Sequence, residues 1–171
     1  MTAFGPEGET QIVELAEDIR IVGLSLQKSG LPVTFESLGK LWKRYADAYR
    51  VKGRGAHPSP CGTEYAVALN RIPDYITGAA AGEIAYDEAV MAETVIPRGT
   101  YVKDAFAAES FEQLTAQVLP RRDVKAWARA HGVTLEEAFC VEVYPPRRAG
   151  QDWFEMYTLT PVKAQAGRQE A

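Results

Sequence analysis

A chain of 171 residues with 46% hydrophobic and 25% charged residues has the composition of one globular domain with a substantial core; two domains would be cramped. Its net charge of -4 and pI near 5.3 give no broad attraction to nucleic acid or to an anionic membrane surface. No basic leader precedes an apolar run, and no run approaches the roughly 18 residues that span a bilayer, so a soluble, cytoplasmic protein without nucleic-acid or membrane partners is expected.

Residues 1–11 read as an N-terminal tail. DIRIVGLSL, from Asp18, carries enough β-branched residues for a first strand, and the GLP turn after it leads into a helix. In that helix Phe35, Leu38, Trp42, Tyr45 and Tyr49 recur at steps of three and four, which predicts a core-facing stripe, with Thr34 placed to cap the start. The loop VKGRGAHPSPCG follows, then strands through EYAVALNR and, past the Pro73-Asp74 turn, YITGAAAGEI. A strand through GTYVKDAF leads to a second helix with Phe111, Leu114 and Val118 on one face; Pro120 interrupts it before DVKAWARAHG. FCVEVYPP and WFEMYTLTPV close the domain, and residues 164–171 form a C-terminal tail.

Sliding the chain by 76 positions aligns Ala16-Glu17 with Ala92-Glu93, Gly23 with Gly99, and Phe35, Glu36 and Leu38 with Phe111, Glu112 and Leu114. The expected fold is therefore α+β: two β-α-β-β repeats related by a pseudo-two-fold axis, in a mostly antiparallel sheet with both helices on one side.

Within FCVEVYP, alternate side chains face opposite ways, so Phe139, Val141 and Val143 share one face while Cys140, Glu142 and Tyr144 share the other. The valine face suits the helices, which predicts that Glu142 and Tyr144 lie on the uncovered face. The repeat offset places Ala66 and Ala68 on that open face too. In DWFEMYTL, Trp153, Glu155 and Tyr157 share a face whose matching first-half positions are Thr77, Ala79 and Ala81. Small residues on one side and aromatic plus acidic residues on the other make an expected cleft. Glu83 is a further acid near its end.

Trp42 and Trp127 need only a core to explain them, and the arginines of PRRDVKAWAR and PPRR read as solvated surface. His57 and His131 are isolated, and Cys61 and Cys140 lack a CxxC spacing, so no metal, no cofactor and no disulfide are expected. Cys61 lies near His57, but no third residue is in view to orient the pair, and it reads as a loop cysteine.

The string YITGAAAGEI, the turn IPRGTYV, the strand FCVEVYP and the aromatic strand ending in TPV together resemble the GyrI-like small-molecule-binding domain, the effector-binding half of AraC-type and MerR-type multidrug regulators. The resemblance covers residues 12–163. It implies a two-repeat domain around a ligand cleft, with the acid at Glu142 on the cleft floor. Because only eleven residues precede the domain, no helix-turn-helix is expected ahead of it.

Two functions are compatible with these residues. A binding module would take flat, amphipathic, often cationic drug-like molecules, with Trp153, Tyr144 and Tyr157 stacking and Glu142 balancing the charge. It would serve as a stand-alone sensor, in sequestration and resistance, or as a partner of a protein such as gyrase. Alternatively, some stand-alone members of the family hydrolyse strained cyclopropane rings of DNA-alkylating natural products. In that case Glu142 or Glu155 would activate water, and Tyr144 or Tyr157 would stabilise the oxygen that gains charge.

Overall fold

The computed structural model describes residues 9–49, 62–71, 73–114, 116, 123–146 and 148–164. Its first half contains β1 (Thr10–Leu15), β2 (Ile19–Ser25), α1 (Phe35–Tyr49), β3 (Glu64–Leu69) and β4 (Asp74–Ala80). Its second half contains β5 (Met91–Ile96), β6 (Gly99–Ala108), α2 (Phe111–Gln113), α3 (Val124–Ala130), β7 (Phe139–Tyr144) and β8 (Phe154–Pro161). The strands form one eight-stranded sheet in the order β1-β6-β8-β7-β3-β4-β2-β5, with every neighbouring pair antiparallel.

The expected α+β architecture is present, and each half carries one more strand than the sequence pattern announced. β1 begins inside the expected tail, and β5 takes the stretch just before the IPRGTYV turn, where no strand is expected. Each crosses to the other half: β1 pairs with β6, and β5 with β2. Reading the sheet from either edge therefore meets the same succession of equivalent strands, and the pseudo-two-fold axis falls between β3 and β7. Ala66 faces Glu142 at that axis. The sequence offset that relates these two residues does not hold at the edges. Thr10–Leu15 on β6 answers Met91–Ile96 on β2, so Ile19 corresponds to Gly99 and Gly23 to Lys103 rather than Gly99.

One face of the sheet is buried by the sheet itself. Ile21, Val67, Tyr101, Val141, Val143 and Leu159 form a cluster with Val13 and Leu15 of one edge strand and Ile96 of the other. Strands at opposite edges share a core only when the sheet curls strongly. The other face is covered by helices. Leu41 and Tyr45 of α1 pack on Leu24, Ala66, Tyr75 and Met91, while Leu114 joins Phe106, Ala108, Tyr144 and Met156.

This reverses the expected division of faces. The valines do share a face, but their cluster includes no residue of a described helix; Glu142 and Tyr144 are on the side where α1 packs. The apolar demand of the valines is met by the edge strands, which alternation along one strand cannot reveal.

Helix α1 follows its predicted stripe apart from Phe35, which is 79% exposed; Leu41 takes the core position instead. Thr34 caps it as expected, its Oγ1 accepting the Ser37 amide proton at 3.2 Å. Thr34→Ala is expected to cost about 1 kcal/mol, measured by denaturant titration. The Val118 and Pro120 expectations, and those for His57 and Cys61, fall outside the described residues. Among the described residues no helix is long and apolar enough to cross a membrane.

Candidate functional site

Glu142 stands at the centre of the sheet, and its setting is built by three strands and one helix. Tyr144, two residues along β7 and on the same face, donates its hydroxyl to Glu142 Oε2 at 2.7 Å. Tyr75 donates to the same oxygen at 2.7 Å from β4, with β3 lying between the two strands. Such a reach is allowed because the β3 residues that separate Tyr75 from Glu142 on this face, Ala68 and Ala66, are small; Tyr75 is in register with Ala68 and Glu142 with Ala66. The backbone of Tyr75 is fixed in turn by Asp74, whose carboxylate accepts from the Tyr75 and Gln27 amides and from the Ser25 hydroxyl.

Trp42 closes the enclosure from α1. Its indole N–H, which can only donate, gives a 3.0 Å bond to the Tyr75 hydroxyl, leaving that hydroxyl's own proton for Glu142. The indole also meets the Tyr144 ring edge-on at 5.1 Å between centroids and the Tyr45 ring at 5.9 Å. A directional chain therefore runs from Trp42 through Tyr75 to the carboxylate.

The electrostatics follow from burial. Removal from water pushes the Glu142 carboxyl above its ordinary value, and the two phenol hydrogen bonds offset part of that rise. Tyr75 and Tyr144 are pushed well above the usual phenol range by burial and by the adjacent carboxylate, so both keep their protons and remain donors. Both bonds converge on Oε2. Glu142 Oε1 accepts no hydrogen bond from the described residues, and the side chain keeps some solvent exposure.

Of the other predicted site residues, Ala66, Ala68, Thr77 and Ala79 share the Glu142 face, through the pairs Ala66 with Glu142, Ala66 with Thr77, Ala68 with Tyr75 and Glu64 with Ala79. Trp153, Glu155 and Tyr157 do not join them. Tyr157 pairs with Val143 and so lies on the opposite face, where the Lys103 ammonium sits 4.3 Å from its ring centroid. Glu155 takes the indole proton of Trp153 at 2.8 Å and pairs with Arg148. The expected match of Thr77 and Ala79 to these residues fails for the same reason as at Gly23. Ala80 corresponds to Pro161, which makes Thr158 the equivalent of Thr77. Glu83 lies beside Gly62, in the turn after β4.

Tyr75 and Trp42 are the residues that sequence reasoning left out. Tyr75 alternates with Thr77 and Ala79 along one strand, so the sequence carries the signal for its face; the helical spacing of Trp42 signals only a core position. Cys140 also shares the face and is a free thiol, part of the lining of a cavity of about 470 Å³ beside α3. Burial pushes that thiol up to about 11, which makes it a poor nucleophile at neutral pH.

No protein-family model and no curated protein matches the sequence. Solved structures do. An integron cassette protein from the mobile metagenome of Vibrio cholerae, VCH_CASS2, is similar with a TM-score of 0.59 at 13% identity, over 92% of this chain and 97% of its own. SAV2435, solved bound to tetraphenylphosphonium, gives a TM-score of 0.54 at 11% identity, over 91% and 94%. The C-terminal domain of EcmrR gives 0.56 at 14% identity, over 91% and 98%. At these identities the likeness shows the fold.

Proposed function

We propose that this chain is a GyrI-like small-molecule-binding domain whose ligand is an amphipathic cation seated at Glu142. One observation carries the reading: a carboxylate at the centre of the sheet, held through one oxygen by two phenols beside the linked rings of Tyr144, Trp42 and Tyr45, with its other oxygen accepting no hydrogen bond from the described residues. Aromatic faces and a partly desolvated carboxylate are the two features that favour a soft organic cation over water. The tetraphenylphosphonium held by SAV2435, a protein of the same fold, supports this ligand class. The domain runs from β1 to Lys163, and its role would be sensing, sequestration or resistance to drug-like molecules.

The reading predicts that tetraphenylphosphonium binds saturably and quenches tryptophan fluorescence through Trp42. No saturable binding to this or other lipophilic cations would sink it.

An Oε1 that accepts no hydrogen bond from the described residues, together with the raised carboxyl of Glu142, favours one second reading, hydrolysis of cyclopropane-bearing alkylators. Glu142 would take a proton from the attacking water as the ring carbon–carbon bond breaks, with Tyr75 or Tyr144 donating to the oxygen that gains charge. Glu155 and Tyr157 have no part in it, being across the sheet. Mass spectrometry of such a compound after incubation decides: a water-added, ring-opened product establishes turnover, and unchanged compound leaves the binding module.

A further inference from the structure

Thr77 lies in the row of side chains that contains Glu142: Leu24, Thr77, Ala66 and Glu142 are successive partners across β2, β4, β3 and β7. It is 0% exposed, and its hydroxyl has no hydrogen-bond partner among the described residues. Its partners on the neighbouring strands, Leu24 and Ala66, are apolar and belong to one buried cluster with Tyr75 of its own strand and Leu41 and Tyr45 of α1. A buried hydroxyl left unpaired destabilises the free protein, and such groups are uncommon in folded chains. The next polar side chain along the row is Glu142, one alanine away; two strand spacings separate their Cα atoms by about 10 Å. Ala66, whose side chain is a single methyl group, is the one residue of the row between them.

We propose that Thr77 is a specificity-determining residue of the Glu142 site, selecting amphipathic cations that carry a hydroxyl group on an aromatic arm. The cationic centre lies at Glu142, and the arm crosses Ala66 to reach the threonine. This rests on the reading of Glu142 as a cation site. A ligand that takes this path displaces Leu41 and Tyr45 from Ala66, and the new hydrogen bond to Thr77 offsets part of that displacement. Aromatic cations without the hydroxyl gain nothing from the same movement and leave the threonine unpaired.

Tetraphenylphosphonium and (4-hydroxyphenyl)triphenylphosphonium differ by one hydroxyl and form the matched pair for the test. The wild-type protein is expected to bind the hydroxylated cation about five- to tenfold more tightly, as one net hydrogen bond implies. Thr77→Val should erase that ratio, keep the affinity for tetraphenylphosphonium and raise the Tm of the free protein; Thr77→Ser should restore the ratio. Equal wild-type affinities, or a ratio that survives in Thr77→Val, overturn the role of Thr77 while leaving the cation site standing. Failure of both cations to bind the wild type overturns both.

Discussion

Glu142→Gln is expected to lower the affinity for tetraphenylphosphonium about 100-fold at neutral pH and to leave the fold intact. Removing one member of a desolvated charge pair costs about 2–5 kcal/mol, and a 100-fold loss corresponds to about 2.7 kcal/mol. The lower part of that range applies because the aromatic contacts of Trp42, Tyr45 and Tyr144 remain. Glutamine keeps a carbonyl oxygen that can accept from both Tyr75 and Tyr144, so the hydrogen-bonded frame survives the loss of charge. The melting temperature should not fall, and linkage gives the sign. Burial raises the carboxyl of folded Glu142, so the charged form destabilises the protein above that raised value. As pH falls from there toward the ordinary glutamate value, this cost disappears. Glu142→Gln should therefore melt at or above the wild-type temperature at neutral pH, with the difference vanishing in acid. Wild-type cation affinity should fall over the same window, and that of the glutamine variant should stay flat. A variant that unfolds would make Glu142 a structural residue and remove the centre of the proposed site.

The sequence showed which residues share a face more readily than which face matters. Alternation alone placed Glu142 with Tyr144, and Ala66 with Ala68, because a strand's side-chain period is fixed by its backbone. Alternation has no information on what lies above each face. Val141 and Val143 need apolar cover, and a helix is the local way to supply it, but here Val13, Leu15 and Ile96 arrive from the two sheet edges. Those edges are themselves hard to read: TQIVEL has three of its six residues exposed and none fully buried, and MAETVI of β5 is cut short by Pro97. The repeat was legible where the halves keep equal spacing, at Phe35 with Phe111 and Ala66 with Glu142. It misled where they differ, which moved Thr77 opposite the wrong residues of β8. Tyr75 shows the remaining gap. Its role depends on reaching over two alanines on a neighbouring strand, a relation between β4, β3 and β7 that no single segment displays.

The curl that buries the valine face also sets the second large effect, Gly78→Ala. Gly78 and Gly23 are paired across β4 and β2. A Cβ added at Gly78 would lie 2.0 Å from the Val22 carbonyl oxygen and 2.5 Å from the Gly23 Cα, and one added at Gly23 would lie 2.2 Å from the Thr77 carbonyl oxygen. These obstacles are backbone atoms, so no rotamer change relieves them, and the two strands must separate. Overpacking of a rigid core costs typically 1–3 kcal/mol and sometimes more; an obstruction made of main chain belongs at about 3 kcal/mol or above. For a domain of this length each kcal/mol lowers Tm by about 2–4 °C, so Gly78→Ala should melt roughly 6–12 °C lower or fail to fold. Gly82, where an added Cβ meets nothing within 4 Å but φ is +95°, separates the two ways a glycine is required. Gly82→Ala strains only its own turn and should cost about 1 kcal/mol. Equal melting temperatures for the two alanine variants would show that the close approach of β2 and β4 does not hold the curl. A much lower one for Gly78→Ala ties the valine core, and with it the central position of Glu142, to that single strand contact.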